Sequence, residues 1–181
     1  LALAVPATAS AGHLPWSPLA GYWPLNEGRG QVAHDWSGHG NHGQLGATAG
    51  VDASDPTWIR SFWWLNKGLH FDGGDFVVIP DSSSLEPQRI TVESWFRREG
   101  SPGKHRYLVS KGGDGCQAGS YGLYTSENTG LAFYVYDGSA YRRSAEATPD
   151  IWDGRWHHAA GTFDGSMVRL FVDGREIGTG T

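Results

Sequence analysis

Residues 89–98 read RITVESWFRR, the most regular stretch of the chain. Successive side chains of a strand point to opposite faces, so Ile90, Val92, Ser94 and Phe96 fall on one face and Thr91, Glu93 and Trp95 on the other. The first set reads as core. The second, half polar and half aromatic, suits an exposed binding face or a polar-capped surface.

Similar runs continue downstream at regular spacing: Tyr107–Lys111, Tyr121–Thr125, Leu131–Tyr136, Tyr141–Ala145, Trp156–Phe163, Met167–Val172 and Arg175–Gly178. Between them stand Asp137-Gly138, Asp164-Gly165 and Asp173-Gly174, pairs that tolerate the positive φ of tight hairpin turns. Upstream, Gly68–Phe71 and Asp75–Ile79, joined by Asp72-Gly73-Gly74, read as a hairpin. Tyr22–Leu25 reads as a short strand that Pro24 confines to an edge. Residues 47–66 hold Trp58, Phe62, Trp63 and Trp64 without a period and read as a long loop. No segment carries the caps and 3.6-residue period of a helix. The prediction is an all-β fold, a two-sheet antiparallel β-sandwich of about a dozen short strands with no major helix.

Composition agrees. The 181 residues include 27 Gly and 9 Pro, the material of many turns, and 9 Trp, 7 Tyr and 7 Phe. This length suits one domain with a substantial core. A formal net charge of −5 with no basic tract excludes a phosphate-neutralising surface, so nucleic acid is not an expected partner. No apolar run reaches the length of a transmembrane helix. The single cysteine, Cys116, has no intrachain disulfide partner. Residues 1–11, LALAVPATASA, end in an A-x-A pattern and read as a signal-peptide remnant, which predicts a secreted or cell-surface protein. Residues 12–20, with Pro15 and Pro18 around Trp16, read as a linker, and residues 21–181 as the domain.

Several phrases, in order, carry a resemblance: YWPLNEGRGQVAHDWSGHGNHG (22–43), KGLHFDGGDFVVIPDSSSL (67–85), ITVESWF (90–96), YLVSKG (107–112), SYGLY (120–124) and DGRWHHAAGTFDGSMVRLFVDGREIG (153–178). Together they resemble the laminin-G-like, concanavalin A-like jelly-roll domain of secreted bacterial proteins. The resemblance implies a sandwich that closes with a final strand of the type G-x-I-D-E-V. That phrase is not found before Thr181, so the domain is expected to be C-terminally incomplete.

Jelly rolls of this kind include glycosidases. Retaining hydrolysis needs two carboxyl groups about 5–5.5 Å apart, yet the same-face neighbours of Glu93 are Thr91, Trp95 and then Arg97, and an E-x-D-x-x-E signature is absent. There is no G-x-S-x-G, and Cys116 lies in a Gly-rich loop without an activating motif. His157 and His158 are adjacent on a strand and point to opposite faces, and His39 and His42 lack the partners of a zinc site. A non-enzymatic role is the expectation. The alternatives are a glycoside hydrolase, or a domain appended to one, and an extracellular protein–protein module.

Calcium suits loop carboxylates and carbonyls. Glu27, Asp35 and Asn41, with Asn26, are the candidate ligands, and the resemblance implies a structural calcium site in such an N-terminal loop, shared with an acid of the last strand. In the other reading, Asp35 and Ser37 build a turn in D-W-S-G. Sugar recognition needs flat aromatic faces and planar polar groups on a shallow surface. Glu93, Trp95, Tyr134, Tyr136, Tyr141 and Arg143 are the candidate ligand-binding residues, taken together as one concave sheet, while Trp156 and His158 read as framework. The function expected is binding of a glycan or glycoprotein by a module of a longer chain.

Overall fold

A computed structural model describes residues 19–59, 67–112 and 119–178. Cys116 and the expected signal remnant at 1–11 lie outside these residues, as do Phe62, Trp63 and Trp64. The described residues form two compact units, 19–85 and 86–178. All regular structure in them is antiparallel β, apart from two single 3₁₀ turns at Ser83–Leu85 and Pro149–Ile151.

In the first unit, β1 (Val32–Ala33), β2 (Gly43–Leu45) and β5 (Val77–Val78) form a sheet in the order β1-β2-β5. A separate ribbon pairs β3 (Thr57–Ile59) with β4 (Gly68–His70). The hairpin expected around Asp72-Gly73-Gly74 is therefore corrected. Asp72 does fold the turn, its carboxylate accepting from the Gly74 N–H at 2.9 Å, but the flanking strands pair with different partners. The expected strand at Tyr22–Leu25 is not one: Leu25 has φ 52°, which breaks extended backbone.

The second unit is a sandwich of two four-stranded sheets. One runs β13-β12-β11-β6 and contains β6 (Ile90–Glu99), β11 (Asp153–Phe163), β12 (Val168–Val172) and β13 (Arg175–Glu176). The other runs β10-β9-β8-β7, from β7 (Tyr107–Gly112), β8 (Gly119–Thr125), β9 (Leu131–Tyr136) and β10 (Tyr141–Arg143). The alternation read from RITVESWFRR holds for Ile90, Val92 and Ser94, which are buried, as are Ala159, Phe163, Val168, Leu170 and Val172 on the same inner face, but Thr91 on the opposite face is buried too. Leu131, Phe133 and Val135 of β9 and Leu123 of β8 oppose them. At the centre the sheets approach so closely that a Cβ on Gly161 would lie 2.1 Å from Cγ of Phe133, a position open only to glycine.

The turns show two solutions. Asp173 and Gly174 both have positive φ (49° and 78°) and join Val172 to Arg175 as a two-residue hairpin. D-G-S-A-Y-R (137–142) and D-G-S-M-V-R (164–169) instead make four-residue loops built on one plan. Asp137 accepts from the Ser139 N–H, the Ser139 hydroxyl and the Ala140 N–H at 2.8–2.9 Å, and its second oxygen accepts from Arg142 at 2.6 Å. Asp164 repeats each bond with Ser166, Met167 and Arg169. These bonds hold both carboxyl groups well below the usual carboxylate range, the arginine contact contributing most.

Candidate functional site

β6 and β11 are long neighbours in register, and pairing sets Trp95 opposite His158, Glu93 opposite Ala160 and Arg97 opposite Trp156, all on the outward face of their sheet. The Trp95 indole is 49 % exposed and rests against the His158 imidazole, ring centroids 5.1 Å apart at a tilt of 50°. Beside it the Glu93 side chain is only 23 % exposed, and its ionic partner among the described residues is His158 Nε2 at 3.5 Å. Burial lifts the Glu93 carboxyl above its ordinary value, and the imidazole offsets only part of that. Arg97 completes the row, its guanidinium 5.7 Å from the Trp156 ring centroid.

The expected tyrosines do not join this patch. Tyr134, Tyr136, Tyr141 and Arg143 lie on the outward face of the other sheet, so the six candidate residues divide between two faces that point in opposite directions. On that second face the aromatics satisfy one another. Tyr134 is 1 % exposed, packed edge-on to Tyr124 at 5.3 Å and stacked with Tyr141 at 5.2 Å, and the Tyr124 and Tyr141 hydroxyls are 2.9 Å apart. The Tyr136 hydroxyl donates to the Gly138 carbonyl. Arg143 is tied to the Tyr124 hydroxyl, which raises its already high pKa. Tyr134 is the floor of an aromatic cluster and offers little contact surface.

His158 and Trp156 are the residues that sequence reasoning assigned to the framework. The alternation of β11 placed them on one face, but only the pairing with β6 brings His158 against Glu93 and Trp95 and Trp156 against Arg97. Their neighbour His157 points the other way, its Nδ1 2.7 Å from Asp173 and its Nε2 3.1 Å from Asp153.

The calcium ligands expected at Glu27, Asp35 and Asn41 are engaged in a hydrogen-bonded turn scaffold. Both Asp35 oxygens are occupied: Oδ1 accepts from the N–H groups of Tyr22 and Ser37, and Oδ2 from the Ser37 hydroxyl and the Asn41 N–H, at 2.8–2.9 Å. Burial alone would raise this carboxyl, but the four donors outweigh it and hold the value low. The Asn41 side-chain amide donates to the Ala20 carbonyl and Ser84 hydroxyl, both at 2.8 Å, and the main-chain carbonyl of Asn41 accepts from the Trp23 indole at 2.7 Å. Glu27 accepts from the His34 N–H at 2.8 Å. Four donors thus meet the Asp35 carboxylate, whereas Glu27 Oε2 is buried with no hydrogen-bond partner among the described residues. Among the described residues no group of three or more His, Cys, Asp and Glu side chains forms a metal-holding cluster.

The architecture of residues 86–178 defines an antiparallel β-sandwich with aromatic outer faces. The family described as the concanavalin A-like lectin/glucanases superfamily, in its laminin G-type branch, matches residues 71–181, and the chain belongs to it. No curated protein and no solved structure matches the chain. At the level of the superfamily, this is a carbohydrate-binding or related module. No helix among the described residues is long and apolar enough to cross a membrane.

Proposed function

We propose that this chain is a non-catalytic, extracellular carbohydrate-binding module, part of a longer exported protein, that contacts its glycan through Trp95, Glu93 and His158. The observation that carries this reading is the unspent capacity of the patch. A half-exposed indole offers a flat face to pyranose C–H groups, and the adjoining carboxylate keeps acceptor positions that sugar hydroxyls can fill. The tyrosine face, whose rings and hydroxyls are engaged with one another, is the weaker candidate.

The same patch argues against glycoside hydrolysis. Across the sheet from Glu93 come Ala160, then Phe171, then Glu176. Three strand spacings put Glu176 about 14 Å away, beyond the separations of about 5–5.5 Å and 6.5–9.5 Å that retaining and inverting mechanisms use. A glycan array probed with the wild type and Trp95→Ala tests the reading. Binding that disappears in a variant with an unchanged circular dichroism spectrum supports it, whereas a folded wild type that binds no glycan sinks it.

A further inference from the structure

Building on that reading, we infer that the Trp95–Glu93 patch selects a glycan bearing free ammonium groups, a glucosamine-type unit whose ring stacks on the indole while its ammonium pairs with the carboxylate. The argument is the charge balance of the patch. Glu93 is largely withdrawn from water, yet the described structure pairs it with no lysine or arginine. His158 stands at 3.5 Å, longer than the roughly 2.7–2.9 Å of a charge-assisted N–H···O bond. The cations nearby are held elsewhere. Arg97 lies over Trp156, and Arg169, on the same face, bonds Asp164 at 2.8 Å and lies 3.7 Å from Glu176.

A hydroxyl would give Glu93 a hydrogen bond but leave its charge uncompensated. An ammonium supplies both, and the gain is greatest where solvent screening is weakest. The geometry suits one sugar unit. Residues two apart on a strand present side chains about 6.7 Å apart on the same face, a reach spanned by the vector from a stacked ring to its amino substituent plus one hydrogen bond.

The test compares three β-1,4-linked oligomers of equal length by calorimetric titration at neutral pH: glucosamine, N-acetylglucosamine and glucose. The glucosamine oligomer is expected to bind the wild type at least about tenfold more tightly than either neutral one, about 1.4 kcal/mol. Glu93→Gln is expected to erase that preference while keeping neutral-sugar binding, and Trp95→Ala to remove all binding. Glu93→Asp, which keeps the charge but draws it back by one methylene, should weaken the preference and serves if the glutamine variant fails to fold. Equal, Trp95-dependent binding of all three oligomers overturns this inference and leaves the glycan-binding reading standing. A preference that survives Glu93→Gln overturns it too, since general attraction to a chain of net charge −5 would then suffice. Absence of binding by every oligomer and by a glycan array removes both.

Discussion

The imidazole of His158 backs the indole of Trp95 across the β6–β11 pair, ring centroids 5.1 Å apart, while its Nε2 faces Glu93. One side chain thus orients both the stacking surface and the acceptor of the proposed site. His158→Ala is expected to lower glycan affinity by roughly three- to tenfold, the worth of one aromatic pair at about 0.5–1.5 kcal/mol, without changing the fold. Trp95→Ala should lose more. A His158→Ala variant that titrates glycan like the wild type would remove this histidine from the site.

Gly161 meets the ring of Phe133 where the two sheets touch. Gly161→Ala forces the ring or the sheets apart and is expected to cost about 1–3 kcal/mol, as overpacking does. Thermal melts read this as a lowered Tm. Adding Phe133→Leu to the same chain should return part of the loss, and an unchanged melt for Gly161→Ala would contradict the packing described.

Asp35 fixes the turn at residues 35–41. Asp35→Ala strands the N–H groups of Tyr22, Ser37 and Asn41, each worth about 1–3 kcal/mol when buried without a partner. Residues 19–85 should then melt early, visible as increased amide exchange. The carboxyl is held below its ordinary 3.8, so the stabilisation is present above that pH and fades as pH falls further. Calcium and chelator are expected to leave the melt of the wild type unchanged. A Tm that rises with calcium would place the ion in this loop.

His157 sits between Asp173 and Asp153. Burial opposes its protonation, but the two carboxylates outweigh burial and raise its pKa above 6.5. A raised histidine stabilises the fold fully below the unfolded value and loses that contribution as pH climbs through the folded value. The Tm should therefore decline as pH rises from 6.5 toward alkaline conditions. His157→Gln should flatten that decline, and a wild-type melt that does not vary over this window would refute the pairing.

Much of the second unit was legible from residues alone. Alternation in 89–98 marked Ile90, Val92 and Ser94 as buried but missed Thr91, buried on the opposite face, and Leu131–Tyr136 is a strand with the expected bounds. Such local signals arise within one strand. What alternation cannot supply is register between strands far apart in sequence. It separated Trp156 and His158 from His157, yet gave no sign that β11 lies against β6. The same gap merged Tyr134 and Tyr141 with Trp95 into one supposed surface, although they belong to different sheets. In residues 19–85 the strands are two or three residues long, too short for a period to show, and Asp-centred hydrogen bonds carry the structure instead. An acid rich in backbone donors and an acid awaiting a metal look alike in sequence.

The D-G-S-x-x-R loops satisfy their polar groups almost wholly from within six residues, and they do so twice, at the ends of two different sheets. Each is accordingly a self-contained corner piece whose shape owes little to the strands it joins. Exchanging the two, or grafting either onto another antiparallel pair, should preserve the chain reversal, which makes these corners the natural places to alter this sandwich without disturbing its faces.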